Sequence, residues 1–188
     1  MSEVKAPGVG DAAPDFTLKT IGLRDVSLKS FRGKNVVLLF YPLDWTPGCS
    51  TCMPAFDRRI KEFEAAQTQV LGISTDSPFS HEAWAKSAGI SNYPLLSDIH
   101  RTTSRAYGVY RAENGFSGRA TFVIDKAGIV HVPIGKRSFG PERLFENAQA
   151  LLSSLVRAKS AAAKSASTNS KRGFCRAASR FRRLMAGS

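Results

Sequence analysis

The sequence predicts an α/β sandwich: a mixed central sheet flanked by helices. Two observations lead there. Apolar runs at 36–40, 69–74 and 120–125 have the length of buried strands, and the segments after the first two carry apolar residues at helical spacing. The run at 120–125 is followed at once by a turn and another apolar stretch, which is a hairpin. Strands alternating with helices and closing on a hairpin require parallel and antiparallel neighbours in one sheet.

Taken in order, Asp11–Leu18 and Val26–Leu28 read as two short strands, an N-terminal hairpin extension. Lys29–Asn35 is a turn into the strand at 36–40. After Tyr41–Cys52, Ala55-Phe56 and Ile60–Phe63 at helical spacing place the start of a helix near Cys49. The strand at 69–74 follows. Asp76-Ser77-Pro78 is a helix start, and Gly89 ends that helix, which carries His81, Trp84, Ala85 and Ala88. Pro94–Asp98 is a strand, and 102–107 is a short helical piece closed by Gly108. The hairpin 120–125/129–132 turns at Lys126-Ala127-Gly128. Pro141 opens a last amphipathic helix with Leu144, Phe145, Ala148, Leu151, Leu152 and Leu155 on one face.

Charge divides the chain. Residues 1–156 hold 18 Lys+Arg against all 15 Asp+Glu, whereas 157–188 hold nine Lys+Arg and no acid, so most of the formal +12 sits in a tail. We place one domain over 1–157. Residues 158–188 are a low-complexity linker and an arginine-rich tail, expected to be disordered. That tail, with Phe174 and Phe181, is a candidate contact for nucleic acid or an anionic membrane; the simpler reading is a solvated extension. No stretch approaches 18 apolar residues, and Met1–Gly10 lacks an apolar core, which argues against a membrane span and a signal peptide. With three cysteines, at least one stays unpaired within a monomer, so a reducing, cytoplasmic setting is expected.

The chemistry concentrates in Tyr41-Pro42-Leu43-Asp44-Trp45-Thr46-Pro47-Gly48-Cys49-Ser50-Thr51-Cys52. A cysteine where a helix opens behind a buried strand faces unpaired N–H groups and a partial positive charge, and both favour thiolate. A thiol enzyme follows.

Pro42-x-x-x-Thr46-x-x-Cys49 resembles the active-site motif of the peroxiredoxins, the alkyl hydroperoxide reductase and thiol-specific antioxidant group. The resemblance runs from about Gly10 to Leu155. It includes Ala13–Leu18, Ser80-His81-x-x-Trp84 and Arg119–Asp125. It implies a thioredoxin-like fold, no cofactor, and a thiol peroxidase reducing hydrogen peroxide and organic hydroperoxides. It also implies a homodimer recycled by a thioredoxin-like or low-molecular-weight thiol. Cys49 would be the peroxidatic residue, attacking as a thiolate and becoming a sulfenic acid. A free cysteine is about 3% ionised at pH 7, whereas a pKa near roughly 6 gives about 90% thiolate. By the resemblance, Arg119 supplies much of that shift, as a charge that never dissociates and carries several fixed donors. The Thr46 hydroxyl can both donate to and accept from a peroxide, and Pro42, lacking N–H, shields the sulfur from water. His81, His100 and His131 are scattered and read as structural, with His81 tied to the sheet edge; Trp84 reads as core.

The thiol that resolves the sulfenic acid stays open among Cys52, Cys175 and an external thiol. On an intact helix, i and i+3 hold their Cβ atoms about 5–6 Å apart, whereas a disulfide wants about 3.5–4.5 Å. Pairing Cys49 with Cys52 therefore needs a loosened first turn, and Pro54 helps by removing a helical donor. Two rivals keep the cysteines and change the chemistry. Cys49-x-x-Cys52 could be a thioredoxin-type dithiol exchanging disulfides, yet Ala120 stands where such proteins carry proline, and Thr46 and Arg119 would go unused. A zinc site has half its ligands here, with no second half at metal spacing.

Overall fold

The structure, a computed structural model, describes residues 6–135. The expected helix from Pro141, the 157/158 boundary, the tail and Cys175 lie outside the described residues. Among the described residues nine strands and four α-helices follow one another: β1 (Thr17–Thr20), β2 (Asp25–Ser27), β3 (Asn35–Phe40), α1 (Pro47–Arg58), α2 (Ile60–Ala65), β4 (Thr68–Ser74), α3 (Pro78–Ala88), β5 (Leu95–Ser97), α4 (Thr102–Ala106), β6 (Tyr110–Arg111), β7 (Phe116–Ser117), β8 (Ala120–Ile124) and β9 (Val130–Gly135).

Seven of the strands form one sheet in the order β2-β1-β5-β4-β3-β8-β9. β3 pairs parallel with β4, and β4 with β5; the crossovers run through α1–α2 and α3. β3 pairs antiparallel with β8, β8 with β9, β1 with β2 and β1 with β5, so the sheet is mixed as expected. β3 is buried along its whole length, which explains its unbroken apolar run. Side chains alternate across it. Val36, Leu38 and Phe40 join Leu71, Ile73, Phe122 and Tyr107 in one core layer. Register places Leu39 beside Gly72 on the opposite face, where α1 packs.

Three details differ from the sequence reading. β1 is confined to Thr17–Thr20; upstream, Ala12 makes only a bridge to Ile129, and Pro14 offers no N–H to a ladder. The helical stretch from Cys49 to Phe63 is two helices, because Arg59 leaves helical geometry at φ −110°, ψ 15°. The ribbon β6–β7 went unseen: its strands are two residues each, too short to show periodicity. By contrast α3 has its expected ends. The Ser77 side chain accepts from the Ser80 N–H, and Gly89 closes the helix at φ +70°.

The body of α1 is seated firmly. Asp57 is buried and its carboxylate accepts from the backbone N–H groups of Ser91 and Asn92 at 2.8 and 2.7 Å and from Asn92 Nδ2 at 2.7 Å, tying the helix to the loop after α3. Tyr93 donates to the Met53 carbonyl at 2.9 Å. Burial, then the Asp57 carboxylate, then Cys52, push the Tyr93 hydroxyl far above its usual range, so it remains a donor. α1 approaches β4 closely because Gly72 has no side chain: a Cβ there would stand 2.7 Å from Leu95 Cδ2 and 3.0 Å from Met53 Cε. We expect Gly72→Val to destabilise the protein by about 1–3 kcal/mol through overpacking, measured by urea denaturation; an unchanged midpoint would show that the contact yields freely.

Candidate active site

β3 ends at Phe40, and the chain descends through a six-residue loop, 41–46, to the mouth of α1. Pro47 opens the helix, a position where its missing N–H costs nothing. The first helical backbone bond runs from Ser50 N to Thr46 O at 2.9 Å. Gly48 and Cys49 thus belong to the opening residues whose N–H groups face outward along the helix axis. Cys49, a free thiol, is fully buried although Pro47, Gly48 and Ser50 around it are exposed.

Arg119 is brought in by strand register. Phe40 lies opposite Ala120 in the antiparallel β3–β8 pair, so Arg119, one residue before β8, falls beside the start of the loop. Its guanidinium lies over Gly48: a Cβ on Gly48 would be 2.6 Å from Arg119 Nη2. The structure therefore brings together Cys49, the helix mouth and Arg119, a site separated by 70 residues of chain. Arg119 is an exposed residue, and its fixed positive charge lies over Gly48, one residue before the buried thiol.

Thr46 occupies the N-cap position, yet its side chain makes no capping bond. Its hydroxyl instead donates to the Leu43 carbonyl at 3.0 Å. This sharpens the expectation of a hydroxyl that both donates and accepts: with the proton committed to Leu43, the lone pairs are what it offers. Pro42 is half-buried in the same loop. Cys52 is half-buried one turn along α1, and Pro54 two residues later denies the Ser50 carbonyl its helical bond.

Under the loop lies a polar cluster that sequence reasoning missed. Asp44 is buried, and its carboxylate accepts from Tyr41 Oη at 2.9 Å, Ser80 Oγ at 2.7 Å and His81 Nδ1 at 2.9 Å. Burial first, and the Asp44 charge second, push the Tyr41 hydroxyl far above its usual range, keeping it a donor. His81 is structural, as expected, but it pairs with this loop and is completely buried. Trp84 is core, again as expected; its Nε1 also reaches Ser50 Oγ, next to Cys49, at 3.3 Å. The available signal for Asp44 was one acidic residue set between an apolar strand and Trp45, which is a poor place for a solvated charge.

A family model for the AhpC/TSA family matches residues 9–132. The chain belongs to that family. It is a peroxiredoxin, a thiol-dependent peroxidase that reduces peroxides. A Synechocystis sp. protein described as a peroxiredoxin is 45% identical over 142 residues, covering 70% of this chain and 71% of its own. The 2-Cys peroxiredoxin BAS1 of Hordeum vulgare is 40% identical over 150 residues, 74% and 71% of the two chains. Among solved structures, Plasmodium yoelii thioredoxin peroxidase I superposes with a TM-score of 0.73 at 31% identity, covering 81% of this chain and 93% of that one. These matches bear out the family resemblance and the thioredoxin-like fold, and the reaction is peroxide reduction rather than dithiol exchange.

Gly48→Ala separates stability from activity at this site. Alanine suits a helix better than glycine by roughly 0.5–1 kcal/mol, and the group it would strike is the far end of a flexible arginine. We expect an undiminished melting temperature together with slower peroxide consumption, because the guanidinium is displaced. Full peroxidase activity in that variant would show that Arg119 need not lie over Gly48.

Proposed function

We propose that Cys49 is the peroxidatic thiolate, with Arg119, the helix mouth and Thr46 arranged around the peroxide it attacks. The observation carrying this reading is the guanidinium lying over Gly48 beside a fully buried thiol at the first turn of α1. The sulfur displaces one peroxide oxygen: the S–O bond forms, the O–O bond breaks, and the leaving oxygen takes a proton to become water or an alcohol. Negative charge grows on both oxygens during the transfer. The Gly48 and Cys49 N–H groups and the Arg119 donors face that charge, held in place before the reaction begins. Thr46, with its own proton on Leu43, accepts the peroxide O–H and so orients the O–O bond. Pro42 walls the site from water. These groups address only the O–O unit, which suits both hydrogen peroxide and organic hydroperoxides.

The sulfenic acid is resolved by Cys52. The two condense to a disulfide with release of water, after the first turn of α1 opens where Pro54 already leaves the Ser50 carbonyl without its helical bond. Cys175 and an external thiol are the other outcomes. A thioredoxin-like dithiol then returns the disulfide to two thiols; a Drosophila melanogaster relative, 42% identical over 143 residues, is named a thioredoxin-dependent peroxide reductase. We place the protein in the cytoplasm as a homodimer, and treat contact of the basic tail with nucleic acid or anionic membrane as secondary.

Mass spectrometry after stoichiometric peroxide tests the centre of this reading. Cys49→Ser should abolish peroxide consumption, and Arg119→Met should slow it by about 10²–10³-fold, the usual effect of deleting one charge-stabilising donor. In the wild type a Cys49–Cys52 disulfide should appear, replaced by accumulating Cys49 sulfenic acid in Cys52→Ser. Oxidation at Cys52 with Cys49 untouched would overturn the assignment. A Cys49–Cys175 bond would move resolution to the tail.

A further inference from the structure

We propose that Asp44 is a positioning residue for peroxide reduction, acting through Thr46 by fixing the loop that carries it. The proposal rests on the reading of Thr46 as the peroxide's hydrogen-bond acceptor.

The loop between β3 and α1 is strained. Trp45, immediately before Thr46, has φ +62°, a left-handed backbone at a bulky residue, and its side chain is 56% exposed, so packing of the indole does not hold it there. Such a conformation costs about 1–2 kcal/mol and persists only where neighbours impose it. The neighbour on one side is Asp44. Its carboxylate collects three donors from two places in the chain: Tyr41 at the end of β3, and Ser80 and His81 in the first turn of α3. Its backbone N–H donates to Asp76 Oδ2 at 2.9 Å, and Asp76 Oδ2 also takes the Ser74 hydroxyl at 2.8 Å, from the end of β4. Its carbonyl accepts the Thr46 N–H at 2.8 Å. Every polar group of Asp44 is therefore engaged, and the last of these bonds is made to the residue that faces the peroxide.

The donor count identifies the ionised form. Three donors converge on two oxygens, which suits an acceptor-only carboxylate and leaves nothing for a carboxyl proton to do. His81 agrees: Nδ1 lies on Asp44, while Nε2 is buried with no hydrogen-bond partner among the described residues. A bare lone pair is tolerated in that position better than a stranded N–H, so the network assigns the Nδ1–H tautomer. The side-chain hydrogen bonds of the cluster run among Tyr41, Asp44, Ser74, Asp76, Ser80 and His81, and none is made to Cys49. The cluster's chemical output runs through the backbone, from Asp44 to Trp45 to Thr46.

Asp44→Asn tests this, since the amide keeps the shape but turns one acceptor into a donor facing donors. The Cys49 oxidation rate is read by stopped flow with hydrogen peroxide in a C52S/C175S background. The ionisation of Cys49 is read separately, from the pH dependence of its alkylation by iodoacetamide. We expect D44N to slow peroxide oxidation by about 10²-fold, as a displaced positioning group does, with the alkylation midpoint unmoved. A merely structural role would disturb both. Thr46→Val should be slow by a similar factor. The D44N/T46V double variant should be no slower than T46V alone, within about twofold. If T46V is as fast as wild type, the reading of Thr46 fails and Asp44 has nothing to act through. If T46V is slow and D44N slows it again by the full factor, Thr46 stands and this proposal falls. Should D44N not fold, Ser80→Ala carries the same cycle. It deletes one of the three donors and should give a smaller loss that also vanishes beside T46V.

Discussion

The antiparallel pairing of β3 with β8 is the constraint on which the site depends. β3 lies inside the sheet, bonded to β4 on one side and β8 on the other, and its side chains are buried on both faces. Such a strand cannot slip by one residue without exchanging its two core faces. The register Phe40–Ala120 is therefore fixed by the hydrophobic pattern, and that register delivers Arg119 to the point where β3 gives way to the loop. A guanidinium with many rotatable bonds arrives at the right place because the strand beneath it has no freedom. The thiol is placed by the same strand from the other direction, six loop residues and one helix turn beyond Phe40.

The division of labour follows from burial. The sheet and the seated part of α1 are apolar and close-packed, and hold geometry. The loop at 41–46 is short and strained, and is held by polar groups that cannot be left unpaired in a dry interior. Hydrogen bonds are directional where packing is not, so a network is suited to orienting one hydroxyl. An arginine at the rim, half in solvent, supplies charge without having to be dehydrated completely.

How much of this was legible in the sequence depends on the physical range of each interaction. β3, β4 and β8 announced themselves because burial on both faces forces an unbroken apolar run. α3 was bounded at both ends by local chemistry, Ser77 accepting at its start and Gly89 turning left-handed at its close. Pro42, Thr46 and Cys49 are near neighbours in sequence, and their spacing could be matched to a motif. Arg119 entered through resemblance alone, since nothing in residues 119–125 states which strand they pair with. Asp44 and His81 were invisible as a pair for the same reason: 37 residues separate them, and a buried carboxylate looks like any other aspartate until its donors are assembled. The break at Arg59 was also hidden, because helical spacing of apolar residues continues across it.

The contact at Gly72 bears on how the catalyst wears. α1 is pressed onto β4 at Met53 and lashed to the loop after α3 at Asp57, while in the turn ahead of Pro54 the Ser50 carbonyl lacks its helical bond. Cys49, the thiol we propose as peroxidatic, rides on that turn. Opening of that turn would run up against close packing at Met53. On that reading the enzyme is a tool with a replaceable edge: the edge flexes, and the handle, a seven-stranded sheet, carries no load.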